Sequence, residues 1–390
     1  MHNIDVPDDW ALRKVHLASQ YVEEQFWSHV HQSPSIIPPI DLDVQMALSC
    51  AQLASTLANA YMNTTNLDLK RYSDACGQQP TGRSSTQEAR LSKKFPPSRQ
   101  IVLEKPCIVL DAGYCIIFWY VPAALSVWMK DDISAAMHNA NDLLRDSIFS
   151  ANANGVWRTD GSYFHATETR SVSPGCINVS PCWFQQGHEP YGHAHQNTDV
   201  SFCPDVSATL KSPHGLSIIK SMQRPSLLIS AALRVMHPSL YWDPLRTTIE
   251  IGRWAYSTGR SEMYDRIRYW VSVFTGAAIM ANRWSPAHRD PQCCPEWFDI
   301  MTCIGNYPNT HMKLPNLGIE LVYDSGVMVA FCGRLVRHEV DVRSGDQWVW
   351  AWFMRDSVHN HFKIPCGQHS IYAQEDYAKY SKVEDISGSM

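Results

Sequence analysis

Two histidines and one aspartate stand out by type and spacing. The segment SPAHRDPQ places His288 and Asp290 two residues apart, so on a strand both side chains point to one face and Arg289 to the other. Fifty residues further on, GRLVRHEV offers His338, and the strand-type runs LGIELVYD and GVMVAFC between them can return the chain to the first pair. Two imidazoles and a carboxylate leave three positions of a cation open. That is the facial arrangement by which non-haem Fe(II) oxygenases hold a keto acid and dioxygen together, whereas thiolates would steer toward zinc or iron–sulfur chemistry. Among 17 histidines this is the one His-x-Asp/Glu in the chain.

Further along, QWVWAWFMRD alternates with the period of a strand. Gln347, Val349, Ala351, Phe353 and Arg355 share one face, and Trp348, Trp350, Trp352 and Met354 the other. The tryptophan face reads as core packed on helices. The opposite face reads as a pocket lining, in which an aromatic ring precedes a guanidinium able to pair with a carboxylate such as the distal one of 2-oxoglutarate. Cys176, Cys182, His188, His193, His195 and Cys203 supply enough nitrogen and sulfur for tetrahedral zinc, but without a Cys-x-x-Cys pair they read as an ordinary loop. His359 and His361 in SVHNHF read as an end cap or an element at a DNA edge.

The elements that must position these groups follow from pattern. With 390 residues, 45% hydrophobic and 18% charged, the composition is that of a globular protein and excludes a disordered tail or a fibre. No run of eighteen uncharged apolar residues occurs, and the start, MHNIDVPDDW, is acidic; a soluble, intracellular protein is expected. Twelve cysteines are too few for a disulfide-stapled chain of this length, so reduced thiols are expected. The net charge of -5 argues against wholesale grip on a polyanion, yet its distribution is uneven. Residues 1–76 hold nine acidic and four basic side chains, and residues 211–289 hold four acidic and eleven basic, a footprint of a polyanion-binding face.

Apolar spacings of three and four predict helices in the first 75 residues, and the polar, basic stretch 77–99 reads as a mobile loop or linker able to clamp a phosphate backbone. IVLEKPCIVL and YCIIFWY read as strands, residues 131–149 as a helix, 151–215 as an irregular insertion, 216–256 as helices, and 269–355 as strands. The expected organisation is an N-terminal helical region, 1–99, followed by a catalytic domain, 100–390. The class is α+β, with helices buttressing a β-sandwich or small barrel.

The stretch from Asn282 to His359 resembles the TET/JBP family of Fe(II)- and 2-oxoglutarate-dependent nucleic-acid oxygenases, especially its small fungal members. The likeness is carried by NRWSPAHRD, PEWFDIMTCIG, KLPNLGIELVYDSGVMVAFCGRLVRHEV and SGDQWVWAWFMRDSVH. The resemblance implies a double-stranded β-helix of the jelly-roll or cupin type, with His288, Asp290 and His338 on Fe(II) and 2-oxoglutarate as cosubstrate. It implies oxidation of the methyl group of 5-methylcytosine, with N6-methyladenine as a second candidate, in a base flipped out of double-stranded DNA. A nuclear, monomeric protein is then expected. Family members commonly carry Arg where this chain has Gln347, the residue that pairs with the distal carboxylate of 2-oxoglutarate, so Arg283 or Arg355 becomes the candidate for that charge. By the same resemblance Phe353 stacks on the flipped base, Arg355 or Glu339 meets its edge, and Gly333 lines its pocket. A protein or small-molecule hydroxylase of the same fold, and a catalytically silent DNA-binding module motivated by Gln347, are the rival readings.

Overall fold

The structure is a computed structural model, and it describes residues 6–76, 84–97, 99–151, 157–165, 171–184, 203–290, 294–365 and 367–380. Helices α1 (Leu12–His31) and α2 (Val44–Tyr61) come first, then strand β1 (Thr64–Asn66) and helices α3 (Tyr72–Cys76) and α4 (Ser85–Lys94). Strands β2 (Ile101–Leu103), β3 (Cys107–Leu110) and β4 (Ile116–Val121) lead into α5 (Val127–Asn139), α6 (Asn141–Ala151) and β5 (Gly175–Val179). A helical stretch follows: α7 (Ala208–Lys211), α8 (Gly215–Ser221), α9 (Gln223–Met236), α10 (Pro238–Ser257) and α11 (Ser261–Tyr269). The strand-rich part is β6 (Gly276–Ala281), β7 (Ser285–His288), β8 (Asp299–Asn306), β9 (His311–Leu314), β10 (Ile319–Val322), β11 (Met328–Phe331), β12 (His338–Val340) and β13 (Asp346–Phe353). Helices α12 (Asp356–His361) and α13 (Gln374–Tyr380) close the chain.

Among the described residues the strands form two sheets, ordered β1-β3-β4-β11-β8-β13-β6-β5 and β2-β10-β9-β12-β7. From β6 onward the chain divides between them so that β6, β8, β11 and β13 lie in the larger sheet and β7, β9, β10 and β12 in the smaller. Two facing sets of four strands joined in this order make a double-stranded β-helix, and β1, β3, β4 and β5 widen the larger sheet. The class is α+β, as the resemblance implied.

The alternation of β13 decides what each face does. Trp350 and Trp352 are buried toward the helices, their indole N–H groups reaching Met137 Sδ on α5 at 3.0 Å and Ser226 Oγ on α9 at 3.4 Å. Those helices are started by side chains: Asp43 accepts from Met46 N ahead of α2 and Ser126 from Met129 N ahead of α5. The opposite face of β13 turns to the space between the sheets. Part of that space is filled by Val109, Ile117, Leu314, Leu321 and Val329, and the rest is a cavity.

Several expectations change. The first 99 residues are not a separable region, because β1 pairs with β3 in the larger sheet and α1 and α2 share one apolar core with β13. Within 77–99, residues 85–94 are a helix rather than a loop; its Glu88 is buried while Arg90, Lys93 and Lys94 are exposed. The helix expected over 131–149 is two helices meeting at Ala140. The insertion 151–215 contains β5, which pairs along β6 from Gly175–Ala281 to Val179–Ala277; a side chain at Gly175 would collide with the carbonyl of Leu144 on α6.

The basic run 211–289 is not one exposed face. Arg224, Arg234 and Arg268 pair with Asp132, Glu23 and Asp9 at 3.3, 2.7 and 2.8 Å, and Arg283 and Arg289 are buried. The charge imbalance along the sequence is thus largely cancelled within the fold, the acidic N-terminal helices meeting the basic later ones. Of the supposed zinc group, His188, His193 and His195 lie outside the described residues, and Cys176 and Cys182 are buried. No helix among the described residues is long and apolar enough to cross a membrane.

Candidate metal centre and cavity

Strands β7 and β12 are antiparallel neighbours, and their register sets His338 directly opposite His288. The ring centroids are 4.2 Å apart. Just past β7, Asp290 is fixed by its backbone N–H donating to Gly333 O at 2.8 Å, and its carboxylate reaches both rings, with Oδ1 3.8 Å from His288 Nε2 and Oδ2 3.6 Å from His338 Nε2. One ligand atom from each residue lies within 4.8 Å of the other two, an opening of the size a single cation fills.

The tautomers suit a metal. His288 Nδ1 sits 2.7 Å from Pro286 O and His338 Nδ1 3.0 Å from Val336 O. A carbonyl oxygen only accepts, so each Nδ1 carries the hydrogen and each Nε2 presents its lone pair. Burial and then the neighbouring His338 push the His288 ring down to about 3, and burial lowers His338 too, so both rings are neutral near pH 7. Burial would raise the Asp290 carboxyl, but His288 and Arg158 outweigh it and hold it below the usual carboxylate range. Neutral imidazoles with an ionised carboxylate fit Fe(II).

Arg289 fastens this arrangement from behind. It is 1% exposed and forms a two-point pair with Glu88 of α4, Nε to Oε1 at 2.6 Å and Nη2 to Oε2 at 3.2 Å. Its Nη1 also donates to Leu335 O, three residues before His338. One guanidinium therefore ties both ligand-bearing segments to a helix from the N-terminal part.

The metal site opens on a cavity of about 380 Å³. Of the proposed residues it contains Arg283, Gly333, Gln347, Phe353 and Arg355. Gln347 is 1% exposed, and its Nε2 lacks a hydrogen-bond partner among the described residues. Nearby, Arg283 is 8% exposed with Cys176 Sγ and Ser285 Oγ at 3.3 Å; burial lowers its guanidinium, so an anion placed there would be welcome. Arg355 lies over the Phe353 ring, 4.8 Å from its centroid. Gly333 sits between two carboxylates: a Cβ there would be 2.8 Å from Asp299 Oδ2 and 3.2 Å from Asp290 Oδ2, which no side chain tolerates without displacing one of them.

Glu339 is not brought to the cavity. The strand alternation of β12 turns it away from His338, toward Lys313 at 3.9 Å. His359, read as an end cap or DNA-edge element, is fully buried with its Nδ1 3.1 Å from Thr247 Oγ1.

Three residues escaped the sequence reading. Arg158 donates to Asp290 Oδ1 at 2.5 Å from a segment without periodicity. Glu88 looked like one charge in a polar stretch. Asp299 is 8% exposed in the cavity wall; burial and then the charge of Asp290 raise its carboxyl well above the usual range, moderated by Arg355. A lone acid opening the apolar run WFDIMTCIG was the available signal for it.

Comparison with known proteins gives the following. Residues 194–355 match the family model Tet_JBP, the oxygenase domain of the 2OGFeDO superfamily. A search of the curated proteins finds no match. Among solved structures, NgTET1 in complex with 5mC DNA is similar at 10% identity over 93% of this chain and 98% of that one, with a TM-score of 0.45. JOX2 in complex with 2OG, Fe and JA is similar at 11% identity over 78% of each chain, with a TM-score of 0.24. The match on residues 194–355 spans the ligand triad and the whole of β6 to β13, and in this chain that segment is an oxygenase domain of the TET/JBP family, which works with Fe(II) and 2-oxoglutarate.

Proposed function

We propose that the chain is a dioxygenase acting on methylated bases in double-stranded DNA. It oxidises the methyl group of 5-methylcytosine, and of N6-methyladenine where the pocket admits it. The observation that carries this reading is the cavity, in which the triad at one wall faces an aromatic ring and a guanidinium at another. A methyl group inside a duplex is out of reach of such a recess, so the nucleotide has to be extruded. Nuclear localisation follows from a DNA substrate, and action as a monomer is part of the proposal.

His288, Asp290 and His338 would hold the iron. With 2-oxoglutarate and dioxygen, iron supplies an oxidant able to take hydrogen from a methyl group while the keto acid becomes succinate and carbon dioxide. Arg283 is the better partner for the distal carboxylate, since it is a desolvated cation in the cavity wall, and Gln347 Nε2 beside it can donate a further hydrogen bond. Phe353 offers its face to the base, and Arg355 over that ring is left free of the carboxylate to donate to acceptors on the base edge. The exposed cations of α4 are suited to a DNA backbone, and the Glu88–Arg289 pair fixes that helix beside the metal site.

Incubation with Fe(II), 2-oxoglutarate and a methylated duplex tests the reading by two products, succinate and oxidised base. Both are expected, with duplex binding that weakens as salt rises. Succinate without salt-sensitive duplex binding would favour a protein or small-molecule hydroxylase. Duplex binding without succinate, even at high 2-oxoglutarate, would favour a silent module, the reading that Gln347 motivates.

A further inference from the structure

We infer that Asp299 reads the exocyclic amino group of the everted base, its Oδ1 accepting a hydrogen bond from that amine, so that the cavity takes amino-bearing bases and rejects thymine. The inference rests on the DNA reading above and adds what selects the base. Asp299 opens β8, on the face that also carries Met301 toward the cavity. Its ladder partner is Phe331, and its neighbour Ile300 pairs with Trp352, which brings it beside Phe353. The acid therefore stands at the edge of the ring on which the base is to lie.

Its two oxygens differ. Oδ2 faces Gly333, whose backbone N–H bonds the carboxyl, and Oδ1 is buried with no hydrogen-bond partner among the described residues. A buried acceptor left unpaired is costly unless a ligand completes it. Gly333 keeps the approach open. Arg355, attracted to Asp299 across the same cavity, is a donor with no acceptor capacity.

An acceptor on one side and a donor on the other match a base edge that offers an amine next to a ring nitrogen or carbonyl. Cytosine has that edge, and adenine has it even with one methyl on its amine. Thymine reverses it, presenting its carbonyl to the carboxylate and its N3–H to the guanidinium. Carboxylate side chains accept from cytosine N4 in ordinary base recognition as well. Glu339, the acid suggested by sequence for this task, faces the other way.

The test is equilibrium binding of the Mn(II)-loaded protein, which turns nothing over, to three duplexes. They carry 5-methylcytosine, thymine, or 5-methyl-2-pyrimidinone, which is 5-methylcytosine without its amino group, each opposite an abasic position so that extrusion costs are alike. The wild type is expected to prefer the first by about 10- to 100-fold, the range for a hydrogen bond to a charged group. Asp299→Asn, whose amide can donate to the thymine carbonyl, should bring 5-methylcytosine and thymine to within about threefold, and Asp299→Ala should erase the preference for the amine. If the wild type prefers 5-methylcytosine and both variants keep that preference, the inference falls and the DNA reading stands. Equal wild-type binding of the pyrimidinone overturns the inference without any variant. Failure to bind any of the duplexes overturns the DNA reading itself.

Discussion

Two pairs of buried histidines occupy this molecule, and they do opposite things. His288 and His338 face each other across two strands, each with Nδ1 turned to a backbone carbonyl and Nε2 turned to Asp290 and the cavity. His237 and His359 are 0% exposed and lie among helices. The ring of His237 accepts from Leu240 N to start α10 and meets Glu296 O at 3.1 Å, and His359 packs against Trp297 with centroids 4.5 Å apart. Burial lowers the basicity of both pairs. What separates them is convergence with a carboxylate at the wall of a cavity, and that depends on strand register.

The largest effect that could break this contrast is loss of the cation. Asp290→Ala or His338→Ala should weaken Mn(II) binding by more than about a hundredfold and abolish succinate release, while duplex affinity stays within about twofold because phosphate contacts lie elsewhere. His359→Gln should cost roughly 1–3 kcal/mol of stability and leave Mn(II) affinity unchanged. Equal metal affinity in the Asp290 and His359 variants would erase the distinction.

Next comes the fastening of the ligand segments. Glu88→Ala leaves the buried Arg289 cation uncompensated, with an expected loss of about 3–5 kcal/mol in denaturant unfolding. Mn(II) affinity should fall about tenfold, and Glu88→Asp should restore part of it. Metal affinity unaltered in a folded Glu88 variant would mean that Arg289 only packs.

A smaller effect concerns pH. The His237 ring is lowered to about 4 and the His359 ring to about 3, against an ordinary value of 6.5. As pH falls below 6.5 the unfolded chain takes up protons that the folded one refuses. Stability should therefore be flat above pH 6.5 and decline from there toward pH 4, by up to about 1.4 kcal/mol per pH unit for each ring. Thermal unfolding from pH 8 to 4 checks this, with a shallower decline expected for His359→Gln and an identical slope counting against it.

The smallest effect lies on the surface. Replacing Arg90, Lys93 and Lys94 of α4 by Gln should lower the slope of log affinity against log salt by about 0.9 for each phosphate contact removed. Replacing exposed, paired Arg253 should not change it.

How much of this was legible in the sequence depends on the range of the signal. The triad was legible because a two-residue spacing on a strand is local geometry, and because β13 announces its two faces by alternation. Glu88 was not, since a buried pair bridging residues 201 apart leaves no local mark, and a helix so polar resembles a linker. The charge asymmetry misled for the same reason: Arg234 and Arg268 look available until the fold sets Glu23 and Asp9 against them. Glu339 was misassigned because adjacency to a ligand along a strand means the opposite face. Asp299 faces the cavity by alternation on β8, but that a cavity lies there is a property of two sheets together.

The most direct test of the account is an anomalous difference map from crystals grown with Mn(II). The account predicts one peak shared by His288 Nε2, the Asp290 carboxylate and His338 Nε2, and its absence in Asp290→Ala. A wild-type map with no peak there, or with the metal held by other side chains, would contradict it.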